Sequence, residues 1–85
     1  MNVVSWERFP DELRAALIQR YAAITWRVTL NQGAEVNGVT VGARRNGMVT
    51  QIWVPAVALG PLTLHELVEA IHAEAERQLA IQRGT

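Results

Sequence analysis

The stretch Val39-Thr40-Val41-Gly42-Ala43-Arg44-Arg45-Asn46-Gly47-Met48-Val49-Thr50-Gln51-Ile52-Trp53-Val54-Pro55 decides how this chain folds. Two runs rich in β-branched residues flank Asn46-Gly47, a dipeptide suited to the left-handed backbone of a two-residue type I′ turn. With that loop, Arg45 faces Met48, Val41 faces Ile52 and Val39 faces Val54. Side chains alternate across a strand. One face of the hairpin therefore carries Val39, Val41, Ala43, Ile52 and Val54, and it is the core face. The other carries Thr40, Gly42, Arg44, Val49, Gln51 and Trp53. Pro55 has no amide hydrogen for a ladder and ends the second strand.

Upstream, Trp26, Val28 and Leu30 alternate with Thr25, Arg27 and Thr29, which predicts a further half-buried strand. Asn31-Gln32-Gly33 is expected to break it, and Ala34 to Gly38 reads as a turn or wide loop. Before this strand a helix is expected from Pro10 to about Ala23. Proline suits the first helical turn, and Asp11 and Glu12 suit the positive end of the helix dipole. Leu13, Leu17, Tyr21 and Ile24 form its apolar stripe, with Ile18 and Ala22 widening it, while Arg14 and Gln19 face solvent. Trp6 and Phe9 read as a lead-in segment packed on the helix end.

Downstream, Thr63 and Glu66 make a capping box, with Leu62 and Leu67 placed as its hydrophobic staple. Leu64, Leu67, Val68, Ile71, Ala75 and Leu79 form the buried stripe of a long closing helix. Gly84 is placed to cap its C-terminus, and Arg77 and Arg83 lie toward the negative end of its dipole. The fold class expected is α+β, one domain over residues 1–85 in the order α-β-β-β-α. A three-stranded antiparallel sheet is covered on one face by two helices, and its other face is left open.

Composition narrows the chemistry. The 85 residues hold no cysteine, which excludes disulfides and thiolate metal sites. No apolar run approaches the roughly 18 residues of a membrane span. The start of the chain lacks the charged and apolar regions of a signal peptide, so a cytoplasmic location is expected. The single serine is Ser5, and no glycine-rich phosphate loop precedes a helix, so a non-enzymatic role without cofactor is expected. His65, Glu69, His72 and Glu76 share one ridge of the last helix, including a Glu-x-x-His step. No matching acidic face exists on the first helix, so the ridge reads as solvated pairs at helical spacing rather than a metal site.

All eight basic residues are arginine and balance eight acidic ones. A neutral chain has no global field to draw nucleic acid, but arginine is the better bidentate phosphate ligand. Arg27, Arg44 and Arg45 are the candidate phosphate contacts. Trp53 and Val49, on the face away from the core, are the candidate dimer contacts, expected beside Gly42. Trp26 falls between core and interface and is counted with them. Cover of that face by the chain's own N-terminal segment is the alternative.

Three segments carry a likeness to known proteins. Gly38-Val39-Thr40-Val41, Asn46 to Pro55, and Leu64-His65-Glu66-Leu67-Val68-Glu69-Ala70-Ile71-His72-Ala73-Glu74-Ala75 together resemble the YbaB/EbfC family. The resemblance implies a bacterial nucleoid-associated protein, homodimeric, that binds duplex DNA with little sequence preference. A non-catalytic protein-interaction or adaptor module on the same fold, with no DNA role, is the alternative expectation.

Overall fold

The computed structural model describes residues 8–32 and 37–84. Six elements follow one another: α1 (Phe9–Arg20), β1 (Thr25–Gln32), β2 (Asn37–Arg45), β3 (Met48–Pro55), α2 (Ala56–Leu59) and α3 (Leu64–Gly84). The three strands form one antiparallel sheet in the order β1-β2-β3. The fold is the expected α+β arrangement of a helix, three antiparallel strands and closing helices.

Asn46 at φ 52 and Gly47 at φ 80 make the turn between β2 and β3. Their left-handed backbone locks the register that the sequence predicts: Arg45 opposite Met48, Val41 opposite Ile52, Val39 opposite Val54. On the other side of β2, Trp26 faces Ala43, Val28 faces Val41 and Leu30 faces Val39. Register fixes faces. Trp26 thus joins Val39, Val41, Ala43, Ile52 and Val54 on the covered side, where they meet Phe9, Leu13 and Leu17 of α1 and Leu67, Val68, Ile71, Ala75 and Leu79 of α3. Each fully buried Leu or Val of this set is worth roughly 1.5–3 kcal/mol relative to exposure.

Several boundaries differ from expectation. α1 stops at Arg20, three residues short of Ala23, because Tyr21 leaves helical geometry at φ −134°, ψ 61°. The Tyr21 carbonyl then accepts from the Ile24 amide at 3.2 Å and from the Trp26 indole N–H at 3.0 Å. Those two bonds make the corner into β1. Ile18, expected to widen the stripe, is 39% exposed. With Phe9, Leu13 and Leu17 aimed inward, the residue after Leu17 lies about 100° around the helix. Ala22 is exposed as well. Asn31 and Gln32 do not break β1 but extend it, pairing with Gly38 and Asn37. The expected loop therefore ends sooner, and residues 34–36 lie outside the described residues, as do Ser5 and Trp6. Phe9 is the first residue of α1 and is buried.

α2 is an addition: one short turn of Ala56-Val57-Ala58-Leu59 that buries Leu59 and bridges β3 to α3. α3 begins as its capping box predicts. The Glu66 amide donates to the Thr63 hydroxyl at 3.1 Å, and the Thr63 amide donates to a Glu66 carboxylate oxygen at 2.9 Å. Those bonds, from the Thr63 backbone first, hold the Glu66 carboxyl below its ordinary pKa. Among the described residues no helix is long and apolar enough to cross a membrane.

Candidate nucleic-acid interface

The uncovered side of the sheet is built by the alternate residues of each strand. β1 contributes Thr25, Arg27, Thr29 and Asn31; β2 contributes Gly38, Thr40, Gly42 and Arg44; β3 contributes Val49, Gln51, Trp53 and Pro55. Across the sheet, Arg27 stands opposite Gly42, Gly42 opposite Gln51, and Arg44 between Thr25 and Val49. Because Gly42 has no side chain, a shallow depression of about 340 Å³ forms there, rimmed by Thr25, Arg27, Arg44, Val49 and Gln51. An added Cβ at Gly42 would meet only Arg27, at 3.7 Å or more. The depression is thus open and not filled by neighbours.

Charge is sorted between the two sides. All six acidic residues within the described segments, Asp11, Glu12, Glu66, Glu69, Glu74 and Glu76, lie on α1 and α3. Among the described residues the open face holds none. Arg27 and Arg44 form no ion pair or hydrogen bond with any described residue. Three arginines of the helices are engaged. Arg14 Nε donates to the Trp26 carbonyl at 3.1 Å, at the outer edge of β1. Arg20 donates to Glu69 at 3.2 Å and to His65 Nδ1 at 2.6 Å. Arg77 is paired with Glu74, whose carboxyl that guanidinium, with help from Gln78, lowers to about 2.

The chain matches no family model, no curated protein and no solved structure.

Two of the three arginines expected to act together lie on the same face, Arg27 and Arg44. Arg45 does not join them. Its position in β2 points it to the helix side, where it is paired with Glu76 and its side chain is 23% exposed. Its Nε is buried without a partner. The adjacent Arg44-Arg45 in sequence becomes one cation on each side of the sheet, as the strand period requires.

Of the three expected interface residues, Val49 and Trp53 are on the open face, 55% and 43% exposed. Trp26 is not. It is 2% exposed, stands on the covered side opposite Ala43, and spends its indole N–H on Tyr21. The correction follows from register: a residue opposite Ala43 shares the face of Val41 and Val39. Trp53 is also displaced from its expected place near Gly42. It faces Thr40, and its ring runs the other way, over Gly38, where Cη2 lies 2.8 Å from the position a Cβ would take.

The histidine ridge of α3 is tied to α1 and the hairpin. His65 Nδ1 accepts from Arg20, which leaves Nε2 as the protonated nitrogen facing Glu69 at 3.0 Å. His72 stacks on the Tyr21 ring with centroids 3.6 Å apart and 3° between planes. Each glutamate of the ridge receives an arginine, Glu69 from Arg20 and Glu76 from Arg45. Among the described residues no cluster of three or more His, Asp or Glu is arranged to hold a metal ion. The arrangement joins α3 to its neighbours through charge-assisted pairs.

Proposed function

We propose that the protein is a non-enzymatic DNA-binding protein of low sequence specificity, the role its resemblance to YbaB/EbfC proteins implies, and that it acts through the open sheet face. One observation carries the reading: among the described residues, the face that the helices leave bare holds two unpaired arginines and no acid, while all six described acidic residues sit on the helices behind it. A net charge of zero is then not evenly spread among the described residues, and the bare face offers its two arginines to phosphate. Arg27 and Arg44 contact phosphates; Gln51, Thr25 and the peptide edge at Gly42 line the depression between them. Few donors reach out from this face, so phosphate contact dominates over base readout.

Two arginines per copy are few, and association of two copies would supply four. The expected salt slope for four phosphate contacts is about −3.6 in log K against log salt. A dimer that serves this function leaves Arg27 and Arg44 exposed. Fluorescence anisotropy with a labelled duplex across a salt series tests the reading. The double substitution Arg27→Ala, Arg44→Ala should abolish most of that slope, and Arg45→Ala should leave it in place. Binding insensitive to salt, or unchanged in the double variant, would overturn the reading.

A second reading is favoured by the exposure of Val49 and Trp53: a protein-interaction module or face-to-face dimer that uses the same surface. Three strands of eight or so residues make a face of roughly 400 Å², about half of what a standard interface takes from each partner. Such an interface would also enclose Arg27 and Arg44 against their own copies with no described acid to receive them, which is costly. Light scattering separates the readings. A dimer that becomes monomeric on Trp53→Ala supports the second, and a dimer indifferent to it supports the first.

A further inference from the structure

We infer that the open face is a stacking platform for single-stranded nucleic acid, with Trp53 receiving a base and Arg27 and Arg44 receiving the phosphates that follow it. The inference rests on the nucleic-acid reading above and goes beyond it in naming unpaired strands, rather than duplex, as the preferred ligand.

Gly38 stands against the end of the Trp53 ring. Its missing side chain lets the Trp53 indole lie over the β2 backbone, since any Cβ there would stand 2.8 Å from Cη2. The Cη2 end of the indole is thus held against β2, while 43% exposure leaves ring surface open to solvent. An aromatic residue that kinks duplex DNA must instead stand out as a wedge between base steps. A ring lying on a sheet can accept only a base whose own face is free, and bases are free only in single strands, loops and ends.

The cations lie at a matching reach. Trp53 stands opposite Thr40, and Arg44 is four residues along β2, roughly 14 Å away. Arg27 is opposite Gly42, two residues along and two strands across, about 12 Å from Trp53. A strand whose base rests on the indole therefore runs its backbone across the Gly42 depression between the two guanidinium groups. Among the described residues the rest of the face is uncharged, with Thr, Asn and Gln side chains beside Val49 and Pro55. Thr40 donates to Asn31 at 2.8 Å beside the tryptophan, and Gln51 lies between Trp53 and Val49 on β3. A basic groove combined with an exposed aromatic ring is the combination used for sequence-tolerant single-strand binding.

The test compares a labelled oligothymidylate with a labelled hairpin duplex by fluorescence anisotropy, using the full chain and its Trp53→Ala, Trp53→Phe and Arg27→Ala, Arg44→Ala variants. The oligothymidylate is expected to bind more tightly than the duplex. Trp53→Ala should weaken it by about fivefold to a hundredfold while leaving the duplex unchanged. Trp53→Phe should restore much of the loss, and circular dichroism of both variants should match the parent. Equal single-strand affinity in the parent and Trp53→Ala would overturn the inference, and so would tighter binding to duplex. In those outcomes a duplex affinity that still falls in the arginine double variant leaves the DNA-binding reading intact. Loss of neither ligand in the double variant, or binding of neither by the parent, sinks both. A dimer that Trp53→Ala converts to monomer makes the platform a self-interface and also overturns the inference.

Discussion

Gly38 and Gly42 occupy the same strand, the same face and the same side-chain parity, four residues apart, and they should respond in opposite ways to the same methyl group. Neither has the positive φ that is found among the described glycines at Gly47 alone, so backbone conformation does not distinguish them. Space does. A Cβ at Gly38 would lie 2.3 Å from the Val54 carbonyl oxygen and 2.9 Å from Pro55 Cα, both backbone atoms of β3, besides the indole at 2.8 Å. Backbone paired in a ladder cannot turn aside as a flexible side chain can, so β2 and β3 must part by most of an ångström. Overpacking of this kind costs about 1–3 kcal/mol, and the backbone contact places Gly38→Ala at the upper end, about 3 kcal/mol. At about 4–8 °C per kcal/mol for a domain of this size, the melting temperature should fall by about 12–24 °C. At Gly42 the same Cβ meets Arg27 at 3.7 Å and nothing closer. There alanine restricts the unfolded chain without strain and should stabilise by about 0.4–1 kcal/mol. Thermal and urea denaturation followed by circular dichroism, on both variants with the parent, reads the difference directly. Comparable melting temperatures for the two variants would refute the account of why β2 carries these glycines, and would remove the reason for the indole to lie where it does.

Four further outcomes are expected. Thr63→Ala removes the cap of α3 and should destabilise by about 1 kcal/mol in urea denaturation, with no effect on DNA affinity. Leu79→Ala opens a cavity at the far end of the core, where the side chain is fully buried, and should cost about 2–5 kcal/mol by the same measurement. Acidification should destabilise through Glu66 and Glu74, whose carboxyls are held below their ordinary value of 4.5 by Thr63 and by Arg77 respectively. For a lowered carboxyl the stabilisation is complete above the unfolded value and is lost as pH falls through the folded one. The decline should therefore begin below about pH 4.5 and continue, for Glu74, toward about 2, and Glu74→Gln should flatten the lower part of a urea midpoint-against-pH curve. Glu76→Gln takes the charged partner from Arg45 and should destabilise the fold, as half-broken pairs do, while leaving the salt slope of DNA binding unchanged.

The parts of the fold that were legible in the sequence are those specified by local chemistry. Asn46-Gly47 can hardly be other than a tight turn, and once the turn is set the period of two assigns every hairpin side chain to a face. The placement of Arg44, Val49 and Trp53 on the bare side follows from that alone, as does the separation of Arg44 from Arg45. Thr63 and Glu66 announce the start of α3 for the same reason. Features that depend on distant partners were not legible. Trp26 alternates with Val28 and Leu30, but which side of β1 the helices cover is decided by its pairing with β2, and only then is the indole seen to be core. The α1 terminus depends on the Tyr21 carbonyl meeting the Trp26 indole, a contact across a corner. α2 is a four-residue apolar run that periodicity cannot tell from a strand end. The orientation of Trp53 over Gly38 had a signal, a glycine diagonal to an aromatic residue on a neighbouring strand, which becomes readable only when the register is known.

Charge sorting is the step from this fold to a function, and it depends on where the ion pairs are. Summed along the sequence the chain is neutral, which argues against a phosphate ligand as long as charges are taken to be mixed. The strand period separates them. Glu69, Glu74 and Glu76 lie on α3, and Arg20, Arg77 and Arg45 come to them from α1, α3 and the hidden side of β2. Each such pair removes one cation and one anion from the long-range field of the molecule. The pairs use up three arginines that face the carboxylates, while Arg27 and Arg44 face no described carboxylate. Arg45 is the informative case. Placed on the helix side of the sheet, it neutralises Glu76 there, and a Glu76 without it would put a further uncompensated negative charge behind the open face. Its buried, unpartnered Nε shows that the contact is not ideal for stability, so its electrostatic consequence is the more interesting one: Arg45→Ala should slow the association of single strands and duplex alike at low salt, without moving the salt slope set by Arg27 and Arg44. Stopped-flow association rates unaffected by Arg45→Ala at low ionic strength would show that the field of the helix side does not reach the sheet face, and that two local arginines act alone.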